Sequence, residues 1–180
     1  MIKEIEVKAK IKNHAQLLDK IKALGCILSA PIRQEDQVFL PLGYDLDDKL
    51  KGISVLRIRK NNDKILFTLK QSQANDLACL ERELEIGDEK IMREIIELLN
   101  FYKVVEVKKI RRKCKYNDYE ICVDQVESLG DFIEVEKMTD QDVVQTQEEL
   151  FTFLESLGVK REDRVLHGYD VLMFNKKNEK

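Results

Sequence analysis

The stretch EIEVKAK, residues 4–10, alternates charged and apolar side chains along its length. Glu4, Glu6 and Lys8 occupy the charged positions, and isoleucine, valine and alanine lie between them. Because successive side chains of a β-strand point to opposite faces, this period of two predicts a strand with one charged and one apolar face. The stretch therefore predicts a sheet in which charged residues form one surface.

The same alternation recurs along the chain and predicts eight strands. They lie at residues 2–11, 33–40, 53–60, 64–71, 79–87, 103–113, 119–126 and 131–137. Helical spacing predicts helices at 15–24, 89–99 and 142–157, and an apolar cluster at 169–174 predicts a short C-terminal helix or turn. This order is typical of an α+β fold built from antiparallel hairpins, with helices packed outside a curved sheet. We expect one domain over residues 1–180.

Composition excludes several broad classes of function. The chain has 180 residues, of which 36% are charged, yet its net charge is only -3. This balance argues against a general nucleic-acid binder and against a polybasic membrane binder, so we expect neither partner. The four cysteines form no CxxC pair, and the sequence contains no secretory signal and no long apolar run. We therefore expect a cytoplasmic protein with reduced thiols.

The charged positions are segregated by strand. Cations occupy some strands, at Arg57, Arg59, Lys70, Lys109 and Arg111, and carboxylates occupy others, at Glu83, Glu85, Asp124, Glu134 and Glu136. An antiparallel sheet with one face in water also alternates in this way, and for any one strand that explanation is the common one. Solvated faces usually mix serine, threonine, glutamine and lysine, however. Segregated charges favour a sheet that closes toward a barrel and encloses both groups.

Such an interior has a chemical use. Carboxylates that are crowded together repel one another unless cations intervene, and hard ions such as Mg²⁺ or Mn²⁺ take oxygen ligands of this kind. Arginine and lysine side chains bind polyanions, because the guanidinium fork matches phosphate oxygens. Together the two groups predict an enclosed site for a triphosphate compound and a divalent metal ion.

The sequence resembles the CYTH superfamily, the triphosphate tunnel metalloenzymes that include class IV adenylate cyclases and thiamine triphosphatases. The N-terminal strand carries the ExExK signature of that family at residues 4–8. Further matching segments are LRIRK at 56–60, FTLKQ at 67–71, RELEI at 82–86, VKKIR at 107–111, ICVDQVESLGDFIEVEK at 121–137 and GYDVL at 168–172. The resemblance spans nearly the whole chain, and its length and closing motif are more similar to the class IV cyclase branch.

The resemblance implies a fold, a cofactor and a set of site residues. The fold is an eight-stranded antiparallel β-barrel or tunnel with helices outside, often paired as a homodimer, and the cofactor is Mg²⁺ or Mn²⁺. The acids on the metal side would be Glu4, Glu6, Asp124, Glu134 and Glu136. The residues around the triphosphate would be Lys8, Arg57, Arg59, Lys70, Lys109 and Arg111, with Glu83 and Glu85 on the tunnel floor. Lys8, Glu4 and Glu6 form the expected catalytic set.

Three functions remain open at this stage. A class IV adenylate cyclase-like enzyme would convert ATP to cyclic AMP and pyrophosphate, and this is the function we favour. A hydrolase would use the same site to cleave tripolyphosphate, thiamine triphosphate or a nucleoside triphosphate, because only the position of the nucleophile differs. A non-catalytic module that binds polyphosphate or nucleotide is the third alternative.

Overall fold

We describe a computed structural model of the protein, which covers residues 2–48, 50–75 and 77–178. The strands in chain order are β1 (Lys3–Lys10), β2 (Ile32–Pro41), β3 (Ser54–Asn61), β4 (Lys64–Ser72), β5 (Ala78–Ile86), β6 (Phe101–Tyr116), β7 (Tyr119–Val126), β8 (Gly130–Thr139) and β9 (Arg164–Val165). The helices are α1 (His14–Ala23), α2 (Glu89–Leu98), α3 (Val143–Ser156) and α4 (Tyr169–Asn178), with a 3₁₀ turn at Arg161–Asp163.

The chain divides into two compact units. The first unit comprises Met1–Ile32 and Ile110–Leu166, and the second comprises Arg33–Lys109 and His167–Lys180. The C-terminal part of β6 belongs to the first unit and its N-terminal part to the second.

The first unit is a sheet in the order β6-β7-β8-β1-β9, and α3 packs on one face of it. β1 pairs with β8 in antiparallel register, with Val7 opposite Val135, and β8 pairs with β7, with Val135 opposite Ile121. The three side chains are fully buried. The Gln147 side chain on α3 donates a hydrogen bond to the Glu6 carbonyl at 3.2 Å, which fixes the helix against β1. The apolar face of the N-terminal stretch is therefore the helix-covered face, as its alternation predicts.

The second unit is a sheet in the order β5-β4-β3-β2-β6. Its apolar face carries a core of Phe39, Leu56 and Ile58, against which Ile96 and Met92 of α2 pack. The register places Ile58 opposite Phe67 and Phe67 opposite Leu84, so apolar side chains continue across three strands on one face. Burial of the core side chains Phe39, Leu56, Ile58 and Ile96 contributes roughly 1.5–3 kcal/mol each and holds α2 on the sheet.

The helices begin where the sequence supplies a capping side chain. The carboxylates of Asp88 and Asp142 accept hydrogen bonds from the backbone N–H groups of Ile91 and Gln145, at 3.0 and 2.9 Å. Each bond satisfies one of the backbone donors that the first helical turn leaves unpaired. Asp88 directly precedes the predicted helix 89–99, a sequence signal for an N-cap, and the structure places it there.

The α+β class and the eight predicted strands are confirmed, and every strand pairing with a stated register is antiparallel. The C-terminal cluster, predicted as a short helix or turn, forms the ten-residue helix α4. β9 was not predicted, because its two residues are too few for a periodic signal. No helix among the described residues is both long enough and apolar enough to cross a membrane.

Candidate functional site

In the first unit, strand register brings the charged positions of β1, β7 and β8 onto one face. Glu6 lies opposite Glu136, and Lys8 lies opposite Glu134. Cys122 of β7 lies opposite Glu134 from the other side. Directly opposed residues of an antiparallel pair point to the same side of the sheet. We call Glu4, Glu6, Asp124, Glu134 and Glu136, with Lys8 and Arg111, the carboxylate cluster.

The centre of this charged face is buried, which decides against a sheet with one face in water. Asp124 is 0% exposed, Lys8 is 1% exposed and Glu134 is 3% exposed. Because the apolar face of the same strands is also buried, the charged side chains lie in an enclosed environment. Buried charges are stable only where they are paired or bind an ion, so each buried charge in the cluster needs a partner of opposite charge.

Two cations lie among the acids. The Lys8 ammonium is 3.0 Å from a Glu134 oxygen and 3.3 Å from a Glu6 oxygen. Arg111 donates from Nε and Nη2 to the two oxygens of Asp124, at 2.8 and 2.6 Å. Its guanidinium also contacts Glu134 and lies 3.3 Å from Glu136. Both Asp124 oxygens are therefore bound by Arg111.

These two cations leave an excess of negative charge on the cluster. Burial raises the pKa of Glu136 to about 8; the Arg111 charge opposes this rise, while Glu4, Glu134 and Glu6 add to it. Oxygens of Glu6, Glu134 and Glu136 lie within 4.8 Å of one another. An all-oxygen donor set with excess negative charge fits a hard divalent cation such as Mg²⁺ or Mn²⁺. This set is our candidate metal site, and Glu4 acts on it through its charge.

Cys122 borders the same acids. Its thiol sulfur is 3.7 Å from a Glu136 oxygen. The carboxylate oxygens of Glu120 and Glu136 and the Cys122 sulfur, all possible metal-ligand atoms, lie within 4.8 Å of one another. Burial raises the pKa of the Cys122 thiol well above its ordinary value, although Arg111 opposes this. A neutral thiol beside Glu136 donates a hydrogen bond rather than adding charge, so it does not increase the repulsion among the carboxylates.

In the second unit, β2 and β3 bring together a buried ion pair. Arg59 donates from Nε and Nη2 to the two Asp36 oxygens, at 2.6 and 2.7 Å. The Lys109 ammonium lies 3.5 Å from Asp36 and 5.1 Å from the centre of the Tyr169 ring, within the range of a cation–π contact. Lys109 is 6% exposed and Asp36 5% exposed. Asp36 and Tyr169 thus hold the ammonium group from two directions.

Across β3, β4 and β5 the same face carries two more cations. Arg57 Nη2 is 3.2 Å from the Thr68 hydroxyl and 3.3 Å from Glu83, and Lys70 pairs with Glu81. We call Arg57, Arg59, Lys70 and Lys109, with Asp36, Glu81 and Glu83, the cation cluster. In it four cations face three carboxylates, the reverse of the carboxylate cluster.

The acids of the cation cluster are held ionised by their neighbours. Burial by itself would raise the pKa of Asp36, but the charges of Arg59 and Lys109 hold it well below its ordinary value. For Glu81, burial likewise opposes ionisation, and Lys70 and Arg57 outweigh it, so its pKa is lowered. The cations in this unit therefore dominate the local electrostatics.

The structure places the predicted residues in two groups and adds others. Arg111 and Lys8, predicted as phosphate contacts, lie among the acids. Glu85 is paired with Lys64 at 2.7 Å, and its side chain is 56% exposed. The partners that sequence reasoning did not assign to the site are Asp36, Thr68, Glu81, Cys122 and Tyr169. Glu81 continues the alternation of Glu83 and Glu85 and could have been found; Tyr169, on a helix, carries no such signal.

Comparison with known proteins agrees with this arrangement. The CYTH domain family matches residues 2–169. A curated protein of Methanocaldococcus jannaschii, named a candidate adenylate cyclase, is 30% identical over 172 residues, which cover 92% of this chain and 95% of the relative. A solved structure from Pyrococcus horikoshii is 29% identical with a TM-score of 0.78, covering 96% of this chain and 99% of that one.

A more distant solved structure supports the fold alone. A Hippeastrum protein, described as a candidate adenylyl cyclase with a dominant triphosphatase activity, is 18% identical with a TM-score of 0.62. The likeness covers 98% of this chain and 96% of that one. With the family match, these likenesses confirm the predicted fold, an eight-stranded antiparallel tunnel with helices outside.

Proposed function

Because this chain belongs to the CYTH family, whose members are generally enzymes acting on triphosphates, we propose that it is a divalent-metal-dependent adenylate cyclase of class IV type. The observation that carries the proposal is the set of Glu6, Glu134 and Glu136, whose oxygens lie within 4.8 Å of one another; Glu134 is buried and the other two are half-buried. Carboxylates this close repel one another, and a divalent cation would relieve that repulsion. The proposed substrate is ATP, and the products are cyclic AMP and pyrophosphate.

The carboxylate cluster would hold the metal. Glu6, Glu134 and Glu136 would be its ligands, with Glu4 and Asp124 as the remaining metal-side acids. A bound Mg²⁺ or Mn²⁺ would supply positive charge to the phosphate oxygens and acidity to a nearby hydroxyl group. Asp124 contributes by orienting Arg111, because its two oxygens bind that guanidinium at 2.8 and 2.6 Å.

The cations would bind the triphosphate. We assign this role to Arg57, Arg59, Lys70 and Lys109 of the cation cluster and to Lys8 and Arg111 of the first unit. Guanidinium groups bind phosphate oxygens through paired hydrogen bonds, and ammonium groups act as point charges. Arg59 is oriented by Asp36, and Lys109 by Asp36 and Tyr169. Glu83 and Glu85 are assigned to the floor of the triphosphate site, as the family resemblance implies.

In the cyclase reaction, the ribose 3'-oxygen forms a bond to the α-phosphorus, and the bond from that phosphorus to the oxygen bridging to the β-phosphate breaks. The hydroxyl proton passes to solvent water, and the bridging oxygen leaves with the bonding electron pair as part of pyrophosphate. The proposed catalytic set is Lys8, Glu4 and Glu6. The Lys8 ammonium lies 3.0 Å from Glu134 and 3.3 Å from Glu6, and we assign it to binding a phosphate oxygen in the transition state.

A triphosphate hydrolase is the second candidate function. The same metal and cation sets would serve a water molecule that attacks the terminal phosphorus. The Hippeastrum protein with its dominant triphosphatase activity is the observation that favours this alternative. We favour the cyclase because the relative from Methanocaldococcus jannaschii is more similar in sequence and is named a candidate adenylate cyclase.

Product identification separates the two reactions. Purified protein is incubated with Mg²⁺ or Mn²⁺ and with ATP, tripolyphosphate or thiamine triphosphate, and the products are identified by chromatography and phosphorus NMR. Equal amounts of cyclic AMP and pyrophosphate, abolished by a chelator, are the expected result.

The other outcomes are equally informative. Orthophosphate without a cyclic product would replace the cyclase with a hydrolase and keep the metal and phosphate assignments. Tight binding of the triphosphates with no turnover would indicate a binding module. A fully active Glu134→Gln variant, compared with Glu127→Gln at an exposed turn, would remove the carboxylate cluster from the reaction.

A further inference from the structure

Two carboxamide side chains of the second unit carry buried oxygens that lack a hydrogen-bond partner. The Oε1 atom of Gln34 and the Oδ1 atom of Asn61 are both buried, and neither accepts a hydrogen bond from the part of the chain that the structure describes. Gln34 is 5% exposed, and Asn61 is half-buried. A buried acceptor without a donor destabilises a protein, so two such oxygens need an explanation.

The two carboxamides are neighbours on the face that carries the cation cluster. Gln34 of β2 lies directly opposite Asn61 of β3, and the next pair on the same face is Asp36 with Arg59. Directly opposed residues point to the same side of a sheet, with Cβ atoms about 4.5–5.5 Å apart, so both oxygens can reach one ligand group. We call Gln34 and Asn61 the carboxamide pair.

The carboxamide pair requires a ligand group of a different kind from a phosphate. Phosphate oxygens accept hydrogen bonds, and the cation cluster offers them Arg57 Nε, a buried donor without a partner among the described residues. The carboxamide pair offers acceptors instead, so its ligand must present N–H or O–H groups. Fully ionised tripolyphosphate has no such group. The pair therefore indicates a substrate with a part other than its phosphates.

The position of the pair favours a heterocyclic base as that part. Two residues of a strand span roughly 7 Å, so along the strand direction the pair lies about 7 Å from Arg59 and about 13 Å from Arg57. Leu66 of β4 is half-buried and lies opposite Arg59, next to the pair. It is an apolar side chain on an otherwise polar stretch of this face. A base has an apolar ring surface and a polar edge, which match Leu66 and the pair.

We propose that the carboxamide pair binds the exocyclic amino group of a nucleotide base whose phosphates bind the cation cluster, with Leu66 packed against the base. An amino group has two N–H donors, one for each unpartnered oxygen. Adenine carries such a group at its 6-position, where guanine carries a carbonyl oxygen. The assignment rests on the proposed function, which names ATP as the substrate, and it adds the residues that distinguish ATP from tripolyphosphate.

Equilibrium binding of three unreactive probes tests the assignment. In each probe methylene groups replace the bridging oxygens between phosphates: an analogue of ATP, the same analogue with hydrogen in place of the 6-amino group, and an analogue of tripolyphosphate. Titration calorimetry with Mg²⁺ gives a Kd for each. Gln34→Leu should weaken the ATP analogue by about tenfold, the effect of one lost hydrogen bond, and leave the tripolyphosphate analogue unchanged. In this variant the 6-amino group should no longer improve binding.

Gln37→Leu is the matched control. Gln37 lies on the same strand but on the opposite face, where it donates a hydrogen bond to Glu89 of α2 at 2.7 Å. This variant should leave all three Kd values unchanged. Asn61→Ala is a second test of the pair and should give the same selective loss as Gln34→Leu. Urea unfolding should show no loss of stability in Gln34→Leu, because the substitution removes an unpartnered buried oxygen.

Equal weakening of all three probes by Gln34→Leu, or wild-type affinity of this variant for the ATP analogue, would overturn the assignment. The result is separate from that of product identification, because none of the probes can be cyclised or hydrolysed. A protein that hydrolyses ATP without forming cyclic AMP would sink the cyclase, while a selective loss in Gln34→Leu would still support the base site. A wild-type protein that binds the ATP analogue no better with the 6-amino group than without it would exclude the base site alone.

Discussion

The carboxylate cluster and the cation cluster are both sets of charges on strand faces with a buried centre, but their charge balances are opposite. The first contains five acids with Lys8 and Arg111, and the second contains four cations with three acids. The pKa of Glu136 is therefore raised to about 8, and the pKa of Asp36 is lowered. The first cluster lacks positive charge and the second lacks negative charge, as expected of a metal site and a phosphate site.

Glu134→Ala should have the largest effect, because it removes a proposed metal ligand that also holds Lys8 and Arg111. Loss of several kcal/mol of transition-state stabilisation should lower metal-dependent turnover by about a hundredfold to a thousandfold. Folding should persist, since removing one of five crowded acids relieves repulsion. Turnover assays and urea unfolding measure the two quantities, with Glu127→Ala as control. Equal losses of activity and stability would make the role of Glu134 structural.

Asp36→Asn should destabilise the second unit most clearly near neutral pH. The lowered pKa means that the stabilisation by Asp36 is present above its ordinary pKa of 3.8 and is lost as the pH falls below it. Removing the carboxylate leaves Arg59 and Lys109 without their buried partner and should cost about 3 kcal/mol at pH 7.

The difference between wild type and Asp36→Asn should shrink as the pH falls through the acid range. Urea unfolding at a series of pH values measures it. A constant difference across that range would show that the ion pairs of Asp36 do not carry its contribution.

Arg57→Gln tests the cation cluster as a phosphate site. Arg57 contacts Thr68 and Glu83, so the variant loses a charge-assisted donor while neighbouring packing is kept. We expect the KM for the triphosphate to rise by about tenfold to a hundredfold, with a small change in metal affinity. Steady-state kinetics at saturating metal measure the change. Lys64→Gln, at a 64% exposed side chain, is the control. A change in metal affinity with no change in KM would contradict the assignment of phosphate binding to the cation cluster and of metal binding to the carboxylate cluster.

Glu136→Gln should have the smallest effect, and of the opposite sign to Asp36→Asn. The folded-state pKa of Glu136 is raised from 4.5 to about 8, so stability falls as the pH rises between these values. In metal-free protein at pH 8 the variant should therefore be more stable than wild type by about 1–2 kcal/mol. Unfolding in a chelator at pH 5 and pH 8 measures the difference. If the free energy of unfolding changes between pH 5 and pH 8 by the same amount in the variant as in wild type, a group other than Glu136 titrates in this range.

Most of the fold could be predicted because strands and helices follow from the local spacing of polar and apolar residues. The alternation in EIEVKAK and its counterparts predicts where strands lie and which positions share a face, and Asp88 predicts the start of α2. β9 could not be predicted, because its pairing of Val165 with Lys8 has no periodic signal in two residues. The division into two compact units was likewise not evident, since the charge pattern continues through both.

The candidate site was predicted as a list of charges rather than as a set of contacts. Residue types and spacing placed Glu6, Glu134 and Glu136 on one face, and their grouping follows from strand register. Arg111 looked like a phosphate ligand, yet its neighbours are Asp124, Glu134 and Glu136. Which cation pairs with which acid depends on which strands meet in the sheet, as for Arg111 and Glu134, which are 23 positions apart, and alternation carries no information about such pairs.

The sequence by itself determined the strands, their charged and apolar faces, and the family, because each depends on residue type at a local or fixed spacing. Only the tertiary structure decided that the centres of the charged faces are buried, that Asp36 and Tyr169 hold Lys109, and that α2 leaves a second apolar face exposed. Burial and pairing depend on what lies opposite a side chain in space. They raise the pKa of Glu136 and lower that of Asp36, although both are carboxylates on strands with the same alternation of polar and apolar residues.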